Sequence, residues 1–326
     1  MASQQGFQPL NLVMQKQDIT AATFQASTLA IGSFDGVHLG HQALLRRMSE
    51  FAESAELPAI ALTFFPHPTA VLRGWSTPSY LMPPDARAEK LLSIGADVVI
   101  TQRFDHAFST MTASSFLDLV LEHLHPTQIW IGEDFTFGHG REGNLAFLEA
   151  AQQTYGFELQ VVPPILLDGE VVSSTRIRKS LRSGDVELAG RLLGRHYAVE
   201  GLIVPGSGRG HDVGFPTANI DSWAEQLLPA SGVYACTAGI REQIWSAVVN
   251  IGVRPTFDHD HAMTMEAHLL DFTGDIYGEG VSLSFVKRLR GEQRFGSVDE
   301  LREQIKKDVL QARGTLTAEI GHDQGQ

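Results

Sequence analysis

The sequence predicts an α/β domain followed by an all-β domain, and three observations predict it. Through the first half, short apolar runs alternate with amphipathic stretches of helical period, the rhythm of a parallel sheet covered by helices on both faces. Beyond Leu193 the apolar runs follow one another without helices, separated by loops rich in Gly, Pro and Asp, as in a small antiparallel barrel. A capping box, Ser297 with Glu300, then opens one closing helix along Leu301, Ile305 and Val309.

In chain order, residues 27–31 read as a strand ending in a glycine turn. Residues 40–55 read as a helix, with Leu44, Met48, Phe51 and Ala55 at helical spacing. A strand at 59–64, a helix at 85–94 and a short strand at 98–100 follow. The helix at 112–124 places Phe116, Leu119, Val120 and Leu124 on one face, and 128–131, 145–155 and 158–162 continue as strand, helix and strand. The barrel strands are expected at 196–204, 232–238, 244–251, 264–270 and 281–289, with the boundary near 185–193 and a frayed tail from Gly321.

At 326 residues the chain has room for two domains. No apolar run approaches the roughly 20 residues a membrane helix needs, and residues 1–20 lack a basic-then-apolar leader pattern. The single cysteine, Cys236, excludes an intramolecular disulfide and fits a reducing cytoplasm. Net charge is −13, with −8 over residues 1–187 and −5 over the rest, so neither half offers a basic surface for a nucleic-acid backbone. Small anionic nucleotides stay within reach, because loop amides and a few basic groups suffice to hold them.

The run Gly32-Ser33-Phe34-Asp35-Gly36-Val37-His38-Leu39-Gly40-His41 joins a strand to a helix. Its glycines permit a tight turn and close approach to phosphate, and the helix start offers amides without intrahelical acceptors. His38 and His41, three apart, can donate to oxygens of a nucleotide α-phosphate, each such donor contributing about 3 kcal/mol to a charged transition state. The plainer reading is a turn with incidental surface histidines. Ser173-Ser174-Thr175-Arg176-Ile177-Arg178 puts hydroxyls and guanidinium groups at a second helix start: either a cradle for β- and γ-phosphates or an N-cap followed by surface arginines.

In the second half, Gly206-Ser207-Gly208-Arg209-Gly210 leads into Gly214-Phe215-Pro216-Thr217-Ala218-Asn219. The glycine loop can close over phosphates with its amides. Thr217 and Asn219 present neutral oxygens on one side of an extended segment, which suits a Mg²⁺ ion that keeps several waters. The plainer reading is a turn followed by a strand. Asp258-His259-Asp260-His261 reads as an exposed turn rather than a metal site.

From about residue 15 to 313 the chain resembles the prokaryotic bifunctional riboflavin kinase/FMN adenylyltransferase family. The first half carries GSFDGVHLGHQAL from Gly32, TFFPHP from Thr63, GEDFTFG from Gly132 and SSTRIR from Ser173. The second half carries GRGHDVGFPTANI from Gly208, GVYA from Gly232, NIGVRPTF from Asn250 and EAHLLDFTGDIYG from Glu266. The resemblance implies a Rossmann-like nucleotidyltransferase domain over 15–187 and a riboflavin kinase-like barrel over 188–313.

It also implies roles. His38 and His41 would act on ATP as FMN attacks the α-phosphorus, with Gly32, Phe34, Asp35 and Gly36 around the nucleotide. Ser174, Thr175 and Arg178 would hold the departing phosphates. Asp134, Phe135 and Phe137 would lie near the flavin, although the two phenylalanines read equally well as core. In the kinase, Gly208, Arg209 and Gly210 would bind ATP, Thr217 and Asn219 Mg²⁺-ATP, and Glu266 would be the general base; Arg254 and Arg290 are candidate phosphate or flavin contacts. Phe65 departs from the acidic residue family members often carry, His67 reads as structural or catalytic, and His211-Asp212 sits where the family loop is often basic.

The resulting expectation is a cytoplasmic monomer or weak homo-oligomer with no nucleic-acid or membrane partner. It would work on riboflavin, FMN, FAD, ATP, ADP and pyrophosphate with Mg²⁺. The alternatives are an enzyme with one live half, a flavin-binding regulator or carrier, and a different nucleotidyltransferase with an unrelated barrel. Intact HxGH, PTAN and Glu266 weigh against the first two, and the kinase-like second half against the third.

Overall fold

The computed structural model describes residues 12–14, 19–21, 24–75, 79–205, 214–254 and 262–323. Gly208, Arg209, Gly210, His211, Asp212 and the 258–261 turn lie outside the described residues. The chain divides into two compact units, Met1–Thr77 with Pro83–Val172, and Pro78–Met82 with Ser173–Gln326.

In the first unit, β1 (Leu12–Met14), β2 (Ser27–Ile31), β3 (Ala59–Phe65), β4 (Val98–Arg103), β5 (Pro126–Gly132) and β6 (Glu158–Val162) form one parallel sheet in the order β1-β4-β3-β2-β5-β6. The connecting helices are α1 (Leu39–Ala55), α2 (Pro68–Arg73), α3 (Pro84–Ile94), α4 (His106–Ser109), α5 (Ala113–Leu124) and α6 (Leu145–Tyr155). Strand β2 is buried along its whole length, as a parallel strand covered on both faces must be. Leu29, Ile31, Ile60, Leu62, Ile129 and Ile131 pack with Phe116, Leu117, Val120 and Leu124 of α5. The alternating residues Ala30 and Ala61 turn to the other face, where α1 lies against β2 and β3. Strand order reverses between β2 and β5, so the turns after these two strands open at the switch point of the sheet. A two-residue hairpin, β7 (Leu166–Leu167) and β8 (Glu170–Val171), closes the unit. Strand β1, helices α2 and α4 and this hairpin are too short to leave a periodic signal in the sequence.

In the second unit, α7 (Ser174–Ser183) and α8 (Val186–Leu193) precede a closed antiparallel barrel. Its strands are β9 (Tyr197–Val204), β10 (Ala218–Ser222), β11 (Gly232–Ile240), β12 (Gln243–Arg254), β13 (Ala262–Leu269) and β14 (Gly280–Arg290), in the order β10-β13-β12-β11-β14-β9. Five of the six are the expected strands. Strand β10 is the strand that the plainer reading of the Gly214–Asn219 run allows; at five residues, with Ala218 and Ile220 as its apolar positions, it is too short to stand out among the barrel strands. Inward residues such as Val249, Ile251, Met265, Ala267, Leu283 and Phe285 fill the barrel.

Helix α9 (Val298–Asp323) closes the unit, with Val309, Ala312 and Leu316 packed on Val233, Ala235, Val248 and Val286. Its cap is a shifted capping box: Ser297 Oγ accepts from the Glu300 amide at 3.2 Å, but the Glu300 carboxylate accepts from Gly296 N–H at 2.9 Å rather than from Ser297. The helix continues past Gly321, where fraying was expected. Arg290, a candidate phosphate or flavin contact from sequence, holds two elements of this unit together. Its Nε and Nη2 donate to the Asp308 carboxylate at 2.8–3.0 Å and its Nη1 to Gly291 O at 3.0 Å, tying β14 to α9.

Asp308 is 3% and Arg290 16% exposed, so removing one partner strands a charge in a poorly solvated place. Asp308→Ala is expected to lower stability by about 3–5 kcal/mol in urea unfolding. A loss below about 1 kcal/mol would show that the pair does not hold α9.

Candidate active sites

The turn after β2 is built on unusual backbone. Phe34 (φ 48°), Gly36 (φ 80°) and Val37 (φ 42°) are left-handed, which costs the two non-glycine residues on the order of 1–3 kcal/mol each. Complete burial of the Phe34 and Val37 side chains offsets that strain, and Gln42 Nε2 donates to Val37 O at 3.0 Å. Asp35 is buried in the same turn. The side chains of Phe34 and Asp35 therefore shape the turn from inside. Thr63 Oγ1 and Arg87 Nη1 both donate to Ser33 O, at 2.9 and 3.0 Å.

This turn delivers His38 to the N-cap of α1, where its Nδ1 accepts the His41 N–H at 3.4 Å. An Nδ1 that accepts leaves the proton of a neutral imidazole on Nε2, which makes Nε2 the donor of His38. Gly40 makes the arrangement possible: a Cβ there would stand 3.2 Å from His38 Nδ1 and Cε1. The His41 ring stacks on His38 with centroids 3.6 Å apart, and Phe34 meets it edge-on at 5.2 Å. His41 Nδ1 is buried and has no hydrogen-bond partner among the described residues. Burial first, then the neighbouring His38 and Arg87, hold the His41 imidazole well below its ordinary pKa. The amides of Leu39 and Gly40 open α1 without intrahelical acceptors.

After β5, Asp134 is exposed, while the Phe135 and Phe137 rings stack at 5.5 Å. Phe137 continues into Phe116 at 5.3 Å and Phe147 at 5.8 Å, and its N–H and C=O both bond Gly143. The two rings thus extend the core, each with a partly accessible surface. His67 caps α2 by accepting the Thr69 N–H at 3.1 Å and stacks on Trp75 at 4.9 Å, which is a structural role.

In the second unit, Ser173 Oγ caps α7 by accepting the Arg176 N–H at 3.3 Å, with Ser174 and Thr175 in the first turn. Arg178 lies one turn further, and its Nε donates to Ser79 O at 2.7 Å.

On the barrel, register assembles a row that sequence distance conceals. Glu266 on β13 lies directly opposite Asn219 on β10 and Asn250 on β12. Directly opposed residues share a face of the sheet. The neighbours Met265, Ala267, Val249 and Ile251 are buried, so the row lies on the outer face, half-buried. Thr217, two residues before Asn219, precedes β10. His268 Nδ1 lies 2.8 Å from Pro216 O and its ring meets Phe215 edge-on at 5.5 Å, which anchors the approach to β10. Asn250 and His268 both fell inside recognised segments without a role, because only strand pairing brings them to the site. The Arg254 side chain lies outside the description. Among the described residues no group of three or more His, Cys, Asp or Glu could hold a metal.

Comparison with known proteins covers both halves of the chain. A family model for FAD synthetase matches residues 20–176, and one for riboflavin kinase matches 193–316. A bifunctional riboflavin kinase/FMN adenylyltransferase of Haemophilus influenzae is 39% identical over 291 residues, 89% of this chain and 94% of that protein. The protein of that name in Escherichia coli is 37% identical over 306 residues, 93% of this chain and 97% of that one. A crystal structure from Streptococcus pneumoniae, described as a macrolide-efflux protein, superposes with a TM-score of 0.83 at 31% identity, covering 91% of this chain and 97% of that one. No described helix here is long and apolar enough to cross a membrane.

A histidine whose folded pKa lies below its unfolded value favours folding above the unfolded pKa, about 6.5, and that contribution is lost as pH falls through the folded value. The His41 ring is therefore expected to stay neutral at pH 6.5 in ¹⁵N-histidine NMR, with its titration midpoint clearly lower. A midpoint at or above 6.5 would contradict the buried, stacked environment.

Proposed function

Because the chain belongs to the family of bifunctional riboflavin kinase/FMN adenylyltransferases, it makes FMN from riboflavin and FAD from FMN, each with ATP, and we propose how its residues divide that work. Residues 15–187 are assigned to adenylyl transfer and 188–313 to the kinase. The observation that carries the assignment is the His38-Gly40-His41 arrangement at the carboxyl end of β2, matched in the barrel by the Asn219–Glu266–Asn250 row.

In adenylyl transfer, an oxygen of the FMN phosphate bonds to the α-phosphorus of ATP as the bond to the β-phosphate oxygen breaks and pyrophosphate leaves. The second pKa of a phosphate monoester is about 6, so this nucleophile is already ionised at neutral pH. What the reaction needs is hydrogen-bond donors for the charge that gathers on the α-phosphate. His38 and His41 supply them as N–H donors, beside the amides that open α1. Gly32 and Gly36 let the backbone approach the nucleotide. Ser174, Thr175 and Arg178 are assigned to the departing phosphates, and Asp134, Phe135 and Phe137 to the flavin.

In the kinase the nucleophile is the ribityl 5′-hydroxyl of riboflavin, which is not ionised. Glu266 takes its proton as the oxygen attacks the γ-phosphorus and ADP leaves. Asn219 and Asn250 flank that carboxylate with neutral amides. Thr217 and Asn219 offer hard, neutral oxygens next to it, a donor set that fits Mg²⁺ held with several waters. Bound Mg²⁺ offsets phosphate charge in both reactions. Gly208, Arg209 and Gly210 are assigned to ATP. We place the enzyme in the cytoplasm, where buried Cys236 stays reduced, as a monomer or weak homo-oligomer without nucleic-acid or membrane partners.

Separating riboflavin, FMN and FAD by chromatography over time tests the division. His41→Ala is expected to slow FAD formation about 100- to 1,000-fold while FMN accumulates. Glu266→Gln is expected to slow FMN formation about 100- to 10,000-fold while added FMN still becomes FAD. Loss of both activities from either folded variant would overturn the two-site assignment. EDTA should arrest both steps and excess Mg²⁺ restore them; full activity in EDTA would remove the metal from the mechanism.

A further inference from the structure

Arg87, on α3, is 1% exposed, and the adenylyl-transfer mechanism above makes no use of it. Burying a guanidinium is unfavourable by several kcal/mol unless its N–H groups are satisfied, so its position needs a reason. The hydrogen bonds supply one. Nη1 donates to Ser33 O at 3.0 Å, inside the turn that follows β2, and Nη2 donates to Phe64 O at 3.0 Å, near the carboxyl end of β3. One rigid fork thus joins the ends of two adjacent strands where the sheet's site opens. A lysine, with a single compact head, does not span two such acceptors in one plane.

We propose that Arg87 is a positioning residue of the adenylyl-transfer site, bolting the Gly32–His41 turn to the end of β3 so that the two imidazoles meet the ATP phosphates in register. The inference rests on the assignment of that turn to ATP. Charge gives the same residue a second effect. His41 is faced by His38 from the cap of α1 and by Arg87 from α3, both of which disfavour a charged imidazole, and Asp35 is the one acid in the turn. Burial and His38 do most to keep His41 neutral, and a fixed cation behind the turn adds to them while leaving the front of the turn favourable to phosphate.

The test compares Arg87→Met and Arg87→Lys in the full chain, measuring FAD formation from FMN against pH, with FMN formation from riboflavin as the control for folding. Arg87→Met is expected to lower kcat for FAD formation about 10- to 100-fold and leave FMN formation unchanged. Its acid limb should move to higher pH, because losing the cation raises the His41 pKa. Arg87→Lys keeps the charge and loses the fork, so kcat should fall while the acid limb stays. If Arg87→Met does not fold, Arg87→Lys decides alone: a reduced kcat with an unmoved acid limb supports the proposal, and a wild-type rate overturns it. A folded Arg87→Met with a rate within twofold of wild type also overturns it. His41→Ala separates the two levels: undiminished FAD formation there sinks the ATP assignment itself, whereas a slow His41→Ala beside a normal Arg87→Met sinks only the role of Arg87.

Discussion

The arrangement of the first site depends on one constraint: a left-handed turn that ends with an imidazole as the cap of α1. Phe34 and Val37 hold a backbone conformation they would not choose, and they hold it because their side chains are sealed in the core. That conformation sets His38 at the N-cap position. The cap directs Nδ1 toward the His41 amide, and the absence of a Cβ at Gly40 leaves room for the ring. The spacing of the motif is therefore a packing result before it is a catalytic one. Either histidine replaced by a longer donor loses the stack, and a side chain at Gly40 would press on the His38 ring at 3.2 Å and push it from its place in the cap.

The two sites differ in the way their nucleophiles differ. A phosphate monoester arrives ionised, so the first site needs donors and has no carboxylate among its proposed catalytic groups. An alcohol arrives protonated, and the proposed base on the barrel is a carboxylate that lies opposite two amides. The solvent regime follows the same division. His41 is buried enough to remain neutral, which suits a donor that must not compete for a proton. Glu266 stands half-buried on the outside of a closed barrel whose interior is filled with apolar side chains. A barrel this small, filled with apolar side chains, has no lumen for a flavin, and the groups proposed for its chemistry stand on the outer face.

Much of this was legible from local pattern. The inner strands β2, β3 and β4 announced themselves as apolar runs, because burial on both faces forces such runs, and α1 and α5 through helical spacing. The HxGH turn was legible because its glycines, histidines and helix start are contiguous. The Glu266 row was not, since its three members are separated by 16 or more residues and only register aligns them. Strand β10 was hard to read because it is only five residues long, with Ala218 and Ile220 as its apolar positions. Arg87 was hidden by a different effect. In Pro-Asp-Ala-Arg-Ala-Glu-Lys it reads as one more charge on the solvated side of an amphipathic helix, and nothing local says that it points inward.

The division of the chain shows a further limit of linear reading. Residues 78–82 lie between α2 and α3 in sequence, yet they pack with the barrel unit. There the amides of Ser79 and Tyr80 both donate to Glu225 O at 3.1 Å, the Leu227 amide donates to Tyr80 O at 2.8 Å, and buried Gln226 donates to Leu81 O at 3.2 Å. The same strap accepts Arg178 Nε and Arg182 Nη2 from α7. Residues 223–227 in turn follow directly on β10, the strand that carries Asn219. One continuous set of hydrogen bonds therefore runs from the chain just past the PTAN strand, through a segment borrowed from the first half, to the arginine of the SSTRIR helix. A boundary drawn where the secondary-structure rhythm changes separates two chemistries, but the backbone that supports them is interleaved.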